Sequence, residues 1–469
     1  MDEFNAMMSF QSSRRRTAAV AQAGALLVQA AALCADEDAP LCEIDLNTAT
    51  AMMLGAPRER AARPQGLKRK GFFADQENKH GAEVYLHEWW TTKYYRWYIG
   101  TLREASWYEE EANKGTHAAM RKQFEAAIRM PLRTFQRLLK EMEEDPFMWR
   151  NPSQKPVPIS VLLMATLRFL ALGCVWEGIS DIFCVARRTL DVWFKQKFLI
   201  WMMTNKYHKY VKTPRTTKEL RALEKPFEEA GFPGMFALCD GVHVWWTGYS
   251  YGEKNAFKGK EKYPTVVFNV TVDYDGKPIF VSNLTAGVTN DKAIVNNYDE
   301  FLGITMQTNP VFTEYRFKLS TKDGTVWTKG AYLGVDNGYH QERHYVAPLK
   351  HERCGTWAFT WSKWLESLRK KSECFFGRLK KKYRILTQGI NMRQLARTRT
   401  IRPDGTVVEV GGVDDIFKVC CCLDAMVQKD KGAFLGTELY NRASKVGFQQ
   451  ENVRIFPTFF ILLFYHEGK

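Results

Sequence analysis

The stretch Leu238-Cys-Asp-Gly-Val-His-Val-Trp-Trp246 decides the fold, because a short apolar run there leads directly into an acid, Asp240. Short apolar runs bounded by turn residues predict buried strands. A second apolar run, Thr265–Val272, and a third, Pro278–Leu284, are separated by a turn at Asp273–Gly276. An Asp-Gly pair between two such runs indicates a hairpin. The region therefore begins with three antiparallel strands.

Two further stretches carry an acid in a comparable setting. Tyr332-Leu-Gly-Val-Asp-Asn-Gly-Tyr339 predicts another buried strand, which ends in Asp336. Lys371-Ser-Glu-Cys-Phe-Phe-Gly-Arg-Leu-Lys380 has helical period, and it places Glu373 on a predicted helix. Two strand-end aspartates and one helical glutamate can converge on a single point. Alternatively, each acid alone has an ordinary structural role, as a helix cap or as the partner of an arginine four residues away.

The order of these elements indicates a fold class. Asn290 and Asp291 open a predicted helix after the three strands, with Asp291 as a cap or a first-turn acid. A further strand and a long helix follow, which is the order of a ribonuclease-H-like core. We therefore predict an α+β or α/β fold, in which an N-terminal helical, helix-turn-helix-like region precedes a catalytic core of mixed sheet flanked by helices. The predicted segments are a flexible basic leader (1–85), a helical DNA-binding or assembly region (86–215), the nuclease core (230–390) and a C-terminal helical extension and tail (391–469).

The motifs resemble those of the Harbinger-type DDE transposases and their domesticated nuclear relatives. The family's Asp-x-x-His stretch stands here as Asp240-Gly-Val-His243, and its Asp-x-Gly-Tyr element as Asp336-Asn-Gly-Tyr339. Its Gly-x-x-x-Asp element stands as Gly287-Val-Thr-Asn-Asp291. The last helix has the family pattern of Arg369, then Glu373, then Phe-Gly and a basic run. The resemblance covers about residues 120 to 390, and Thr285-Ala286 replaces the Pro-Gly pair of many relatives.

The resemblance implies a catalytic and metal-binding triad of Asp240, Asp336 and Glu373. Asp240 would bridge two ions, while Asp336 and Glu373 would each hold one. Oxygen ligands of this kind suit Mg²⁺ or Mn²⁺. Two such ions activate the attacking oxygen and stabilise the leaving oxygen in displacement at phosphorus. His243 and Asp291 would support the site, although a histidine on a strand is as readily a structural residue.

The expected function is that of a DNA transposase, which cleaves DNA at transposon ends and transfers the 3′-hydroxyl strand into target DNA. Two alternatives remain open: a domesticated nuclear DNA-binding or adaptor protein, and a metal-dependent nuclease without strand transfer. The resemblance also implies a homo-oligomer, a possible Myb-like partner protein and a nuclear location.

Several basic residues are candidate DNA contacts. Within a helix-turn-helix candidate at residues 161–200, Arg187, Arg188, Thr189 and Lys195 would face DNA, unless this region is an ordinary helical bundle. A second group consists of the Lys-Gly-Lys block and the cations around Glu373, namely Lys258, Lys260, Arg369, Arg378, Lys380, Lys381 and Lys382. These cations either contact phosphates or form a solvated face.

Composition narrows the class of protein. The 469 residues carry a formal charge of +15, from 67 basic and 52 acidic side chains, which favours a polyanionic partner. Ten cysteines without a CxxC pair fit a reducing compartment, and Cys420–Cys422 is expected to pack as small apolar residues on a helix. The apolar tail Phe456–Tyr465 falls short of the about 20 residues that a membrane span needs. We therefore predict no membrane anchor.

Other segments are less specific. The basic run Arg63–Lys70 is either a nuclear-import signal or a solvated linker, and the aromatic segment Trp89–Tyr108 either clamps the body together or stacks on bases. The Ala-rich run after Arg14–Arg16 only superficially resembles a signal peptide. His340, His344, His351 and Cys354 fit no zinc-finger spacing. Asp273, Asp275 and Asp323 are expected to serve turns.

Overall fold

In the computed structural model the described residues are 92–93, 95, 115–148, 157–321, 324–339, 343–350, 353–401 and 407–431. They fall within the second of two units of the chain, Phe72–Lys469. The basic run at 63–70, most of the aromatic segment at 89–108, the tail after 431, and also Asp323, His340 and His351 lie outside the described residues. No helix in the described part of the chain is long and apolar enough to cross a bilayer.

The first elements are helical, as the sequence predicts. They are α1 (Gly115–Ile128), α2 (Leu132–Glu144), α3 (Ile159–Leu172), α4 (Trp176–Phe183) and α5 (Arg187–Trp193). Helix α2 buries Leu132, Phe135 and Leu139, which recur at intervals of three and four residues and so share one face. Helix α3 is buried over most of its length, because nearly all its residues are apolar. It forms the centre of this helical region.

Helix α3 ends at Gly173, as predicted, for a reason that the structure makes explicit. Gly173 has a φ of +66° and donates its N–H to the carbonyl of Phe169 at 2.9 Å. A Cβ at this position would lie 2.7 Å from the backbone carbon of Arg384. Both the left-handed conformation and the close approach therefore require glycine.

The predicted pair of short helices is present as α4 and α5. Cys184 between them adopts a left-handed conformation, and Ser180 Oγ donates a hydrogen bond to the carbonyl of Val185 at 2.7 Å. The second helix continues further than predicted, through π-helical segments at Phe194–Phe198 and Met203–Tyr207, with α6 (Leu199–Met202) between them and α7 (His208–Tyr210) at the end. Its role in DNA binding stays a prediction.

A mixed sheet follows helix α8 (Thr217–Glu229). Its strands are β1 (Met235–Trp245), β2 (Thr265–Val272), β3 (Pro278–Val281), β4 (Thr285–Ala286), β7 (Tyr332–Gly334) and β8 (Tyr345–Val346). Strands β5 (Arg316–Thr321) and β6 (Gly324–Lys329) form a separate hairpin. The spatial order is β3-β2-β1-β7-β8, with β4 also beside β2. Strand β2 is antiparallel to β1, β3 and β4, whereas β1, β7 and β8 are parallel. This is the predicted mixed sheet.

The first strand is longer than the sequence indicated, so the prediction that Asp240 ends a strand is wrong. Strand β2 pairs with β1 from Leu238 as far as Trp245. The parallel pairing with β7, in contrast, stops at Leu238 opposite Gly334. Asp240 therefore lies in the middle of β1, just beyond the point where its parallel neighbour has ended. Asp336 follows the end of β7, as predicted.

Helices cover this sheet and the edge where β7 ends. They are α9 (Lys254–Phe257), α10 (Asp291–Tyr298), α11 (Met306–Thr308), α12 (Pro310–Thr313), α13 (Trp357–Lys382), α14 (Ile385–Gln388) and α15 (Val413–Lys431), with the hairpin β9 (Thr398–Ile401) and β10 (Val407–Val410) before α15. The long helix α13 buries Leu365, Leu368, Ser372, Phe375 and Leu379. The predicted inner side of this helix is confirmed.

Helix α15 packs against both the sheet and α13. Phe417 stacks on Phe268 of β2, with ring centroids 4.1 Å apart. The buried carboxylate of Asp424 forms ion pairs with Arg378 at 3.2 Å and with Lys382 at 3.1 Å. Cys420–Cys422 is fully buried on this helix, as predicted.

Replacing Gly173 with alanine is expected to destabilise the protein, because an L-residue at this φ costs about 1–3 kcal/mol before the clash with Arg384 is counted. Gly178→Ala is the matched control, since a Cβ added to Gly178 inside helix α4 would have no neighbour within 4 Å among the described residues. The control should gain up to about 1 kcal/mol from helix propensity. Urea unfolding of both variants measures the difference, and equal stabilities would contradict the account of this helix end.

Candidate active site

Two of the predicted acids lie near each other, one on β1 and the other just after the adjacent strand β7. Asp240 lies on β1 where β7 no longer covers it, and Asp336 lies two residues after β7. In each case the Oδ1 atom accepts a hydrogen bond from a nearby glycine N–H: Gly241 to Asp240 at 2.9 Å and Gly338 to Asp336 at 2.7 Å. These bonds fix both carboxylates at the same edge of the sheet. The two carboxylates are close enough for the negative charge of Asp336 to raise the pKa of Asp240.

A third carboxylate, Asp291, lies beside Asp336. Asn290 caps helix α10 by accepting a hydrogen bond from the N–H of Ala293, so Asp291 is the first helical residue rather than the cap. A Cβ at Gly338 would lie 2.6 Å from Asp291 Oδ2 and 2.9 Å from Asp336 Oδ1. A Cβ at Gly241 would lie 3.3 Å from Asp291 Oδ1. The glycines that follow the two strand aspartates therefore make room for Asp291.

Burial and repulsion by Asp336 make the charged forms of Asp240 and Asp291 unfavourable. The pKa of Asp240 is raised to about 6, because burial and then the charge of Asp336 raise it by more than the guanidinium of Arg369 lowers it. The pKa of Asp291 is also raised, first by burial and then by Asp336, with Lys260 acting in the opposite direction. The nearby cations therefore do not balance the negative charge of these carboxylates.

Helix α13 approaches this cluster with a cation and a hydroxyl. Arg369 Nη2 lies 3.4 Å from Asp240 Oδ2, and Ser372 Oγ lies 3.3 Å from the same oxygen. The Nε atom of Arg369 is buried and has no hydrogen-bond partner among the described residues. Arg369 is therefore held at Asp240 mainly by charge and by a single weak contact.

The third predicted acid, Glu373, lies on the same helix but not in the cluster. Its side chain is exposed. Arg369, Glu373 and Lys380 fall on one stripe of the helix, since they are four and then seven residues apart. The ends of that stripe contact β1, where Arg369 pairs with Asp240 and Lys380 Nζ donates to the carbonyl of His243 at 2.7 Å. The backbone of Glu373 thus lies alongside β1 between these contacts.

The span from residue 239 to residue 424 matches the family described as DDE superfamily endonuclease. The match supports a transposase-like DDE family, and it includes Asp240, Asp291, Asp336 and Glu373. No curated protein and no solved structure matches the chain. The mixed sheet flanked by helices is compatible with a DDE nuclease core. Residues 239–424 are called the DDE-like domain below, after the family that they match.

DDE endonucleases typically use divalent metal ions, and the donor chemistry of this cluster fits them. Asp240, Asp291 and Asp336 offer carboxylate oxygens, which are the ligands that Mg²⁺ and Mn²⁺ prefer. A divalent cation would also supply the positive charge that the cluster lacks. As the side chains stand, however, no group of three or more His, Cys, Asp or Glu residues in the described part of the chain is arranged to hold a metal ion.

The predicted supporting residue His243 is fixed by its neighbours. Its Nδ1 atom lies 3.0 Å from Thr265 Oγ1 on the adjacent strand. Burial and the nearby charge of Lys260 lower the pKa of His243. Lys258 and Lys260 are exposed on the loop before β2, and Lys260 is near enough to influence both His243 and Asp291. The structure therefore brings Lys260, but not Lys258, close to the acids.

The cations that follow Glu373 on α13 have different surroundings. Arg378 and Lys382 pair with Asp424, Lys380 contacts β1, and Lys381 is exposed. Burial alone would raise the pKa of Asp424, but Lys382 and Arg378 hold it below its usual value. These two cations thus fasten α15 to α13, whereas Lys381 is the most accessible member of the run.

The four candidates in the helical region lie at the start of the α5 helical run. Arg187 forms an exposed ion pair with Glu177 at 2.5 Å, and Lys195 pairs with Asp191 at 2.8 Å. Arg188 is exposed and Thr189 is half-buried. Their proposed contacts with DNA stay predictions.

Asp240→Asn is expected to stabilise the DDE-like domain at pH 7. A native pKa of about 6, above the ordinary 3.8, means that ionisation favours the unfolded state, so stability falls as pH rises between these values. The amide removes this penalty of on the order of 1–3 kcal/mol. The gain should vanish below about pH 4, where Asp240 is protonated in both states. Thermal unfolding of the variant and the wild type from pH 4 to 7 measures it.

Asp275→Asn is the control for this series, since Asp275 is an exposed acid in the β2–β3 turn and its removal changes the net charge equally. A gain that is the same at pH 4 and pH 7, or the same in both variants, would contradict the burial of a repelled charge at Asp240.

Proposed function

We propose that this protein is a Harbinger-type DNA transposase that cleaves DNA at transposon ends and joins the freed 3′-hydroxyl to target DNA. The observation that carries the proposal is the convergence of Asp240 and Asp336 at the edge where β7 ends, inside a domain that matches DDE endonucleases. Its strand order, with β7 and β8 parallel to β1, supports a ribonuclease-H-like core. Neither acid needs a protein nucleophile beside it, because in this chemistry water or a DNA hydroxyl attacks the phosphorus.

Asp240, Asp336 and Glu373 would hold two Mg²⁺ or Mn²⁺ ions. When bound, these ions activate the attacking oxygen and stabilise the leaving oxygen. Asp291 would limit the positions open to the Asp336 carboxylate, because both carboxylates lie beside Gly338. We assign Asp291 to positioning and Glu373 to metal binding.

Metal binding by Glu373 would require a change of its side-chain conformation. Its backbone already lies beside β1, one helical turn from Arg369, and its carboxylate is exposed to solvent. Arg369 then has a second role. Its guanidinium, held at Asp240 by a single long contact, would bind a DNA phosphate with two parallel hydrogen bonds.

The remaining components of the proposal concern DNA and partners. A formal charge of +15 supports DNA as the polyanion, with the α4–α5 region and Lys260 and Lys381 as the accessible contacts. Pairing of two transposon ends would require a homo-oligomer. A Myb-like DNA-binding partner and a nuclear location follow from the resemblance to the Harbinger family.

Cleavage and joining assays on a supercoiled plasmid that carries the element's ends test the proposal. The wild-type protein, with the Myb-like partner and Mg²⁺ or Mn²⁺, should cut and join. Asp240→Asn, Asp336→Asn and Glu373→Gln should each lose about a thousandfold or more, because each removes a metal ligand. Asp291→Asn should lose about 10- to 100-fold, as expected for a residue that orients a ligand.

Asp275→Asn serves as the matched control for charge, and DNA binding is measured for every variant in parallel. A wild-type protein that binds these ends but never cuts them would support the adaptor alternative. Cutting without joining would support a nuclease that lacks strand transfer. Full activity in Glu373→Gln, together with none in Asp291→Asn, would assign metal binding to Asp291 and remove it from Glu373.

A further inference from the structure

A second feature of the domain, the hairpin β5–β6, stands apart from the acid cluster. Its two strands pair only with each other among the described strands, in register from Arg316 opposite Lys329 to Thr321 opposite Gly324. One face is buried through Phe317, whose ring lies 6.1 Å from that of Tyr332 in β7. The hairpin is therefore anchored to the sheet by one face, and its other face is turned to solvent.

The solvent face combines cations with an exposed indole. Alternation along the strands places Arg316, Lys318, Trp327 and Lys329 on this face. Trp327 is 61% exposed, and Lys318, directly opposite it, has its Nζ 5.0 Å from the ring centroid. A large aromatic side chain left this open on a rigid strand is unusual, because burying it would contribute substantially to folding.

The surroundings of Trp327 favour a negatively charged partner. Three cations share its face, and Glu314 is the acid that pairs with one of them, Lys329, at 2.6 Å. Arg343, also exposed, donates to the carbonyl of Lys329 at 2.6 Å and adds another positive charge at the base of the hairpin. An apolar protein surface would gain little from this charge, whereas a polyanion that carries planar rings would contact both the cations and the indole.

We propose that the exposed face of the β5–β6 hairpin binds single-stranded DNA, with Trp327 stacked on an unpaired base and Arg316 and Lys318 on the adjacent phosphates. Bases inside a duplex do not present their faces, so stacking on Trp327 selects an unpaired nucleotide. The site is separate from Asp240, Asp291 and Asp336 and needs no metal ion. Its test is therefore independent of the proposed cleavage activity.

Binding of the full-length protein to a fluorescently labelled single-stranded oligonucleotide, measured in EDTA, tests this site. Trp327→Ala should weaken binding about 5- to 100-fold, the range expected for the loss of one stacked base. Trp327→Phe should retain most of the affinity. An oligonucleotide with a 2-aminopurine base reports the stacking directly, because its fluorescence should be quenched by the wild-type protein and not by Trp327→Ala.

Ile401→Ala is the matched control, since Ile401 is a 69% exposed side chain on the other two-stranded hairpin, β9–β10. It should bind like the wild type. Lys318→Gln should reduce the slope of log affinity against log salt by about 0.7, as for one phosphate contact on a single strand. Thermal unfolding confirms that each variant is folded.

Two results would overturn the proposal. Wild-type affinity in a folded Trp327→Ala variant would show that the indole does not contact DNA. An equal loss of affinity for a blunt duplex and for the single strand, with unchanged 2-aminopurine fluorescence, would show that the hairpin contacts the backbone without stacking. If the wild-type protein does not cleave the plasmid and neither of these two results is found, the proposed cleavage by the acid cluster is wrong and the proposed binding by the hairpin stands.

Discussion

The crowding of three carboxylates at one edge of the sheet is the constraint on which the surrounding structure depends. Asp336 repels both Asp240 and Asp291 in a partly buried space, and the charge of Arg369 lowers the pKa of Asp240 only in part. Such an arrangement persists because the neighbouring structure is rigid: β2 supports β1 along the whole stretch that carries Asp240, and Asn290 fixes the start of α10. The cluster therefore costs native stability, as sites for cations commonly do.

Much of this arrangement could be predicted from the sequence, because apolar periodicity is a strong signal in long elements. The strand Thr265–Val272, the helix end at Gly173 and the buried side of α13 all follow from it. The extension of β1 through Asp240 could not, since that depends on how far β2 pairs beyond the end of β7. The hairpin β5–β6 was also missed, although Phe317 and Leu319 alternate with charged residues as an exposed strand requires.

The site, like the fold, could be predicted from the sequence only in part. Asp336 and the helical position of Glu373 follow from local sequence, but the place of Asp291 beside Asp336 is a tertiary contact. One local signal was present: a glycine closely follows each strand aspartate, at positions 241 and 338, where a side chain would collide with Asp291. The direction of the Glu373 carboxylate could not be predicted from the sequence, because the direction of an exposed side chain depends on what it binds rather than on its own helix.

The ion pairs between α15 and α13 make the site dependent on residues well beyond its acids. Asp424 ties Arg378 and Lys382 to a helix that follows Glu373 by some forty residues, and this fixes the rotation of α13 about its own axis. A gene copy interrupted by a stop codon between these two helices would retain all four acids and every motif around them. Its product would nonetheless lack the ion pairs that hold α13, the helix that carries Glu373, against α15. The integrity of α15 therefore matters to this domain as much as the presence of the acids does.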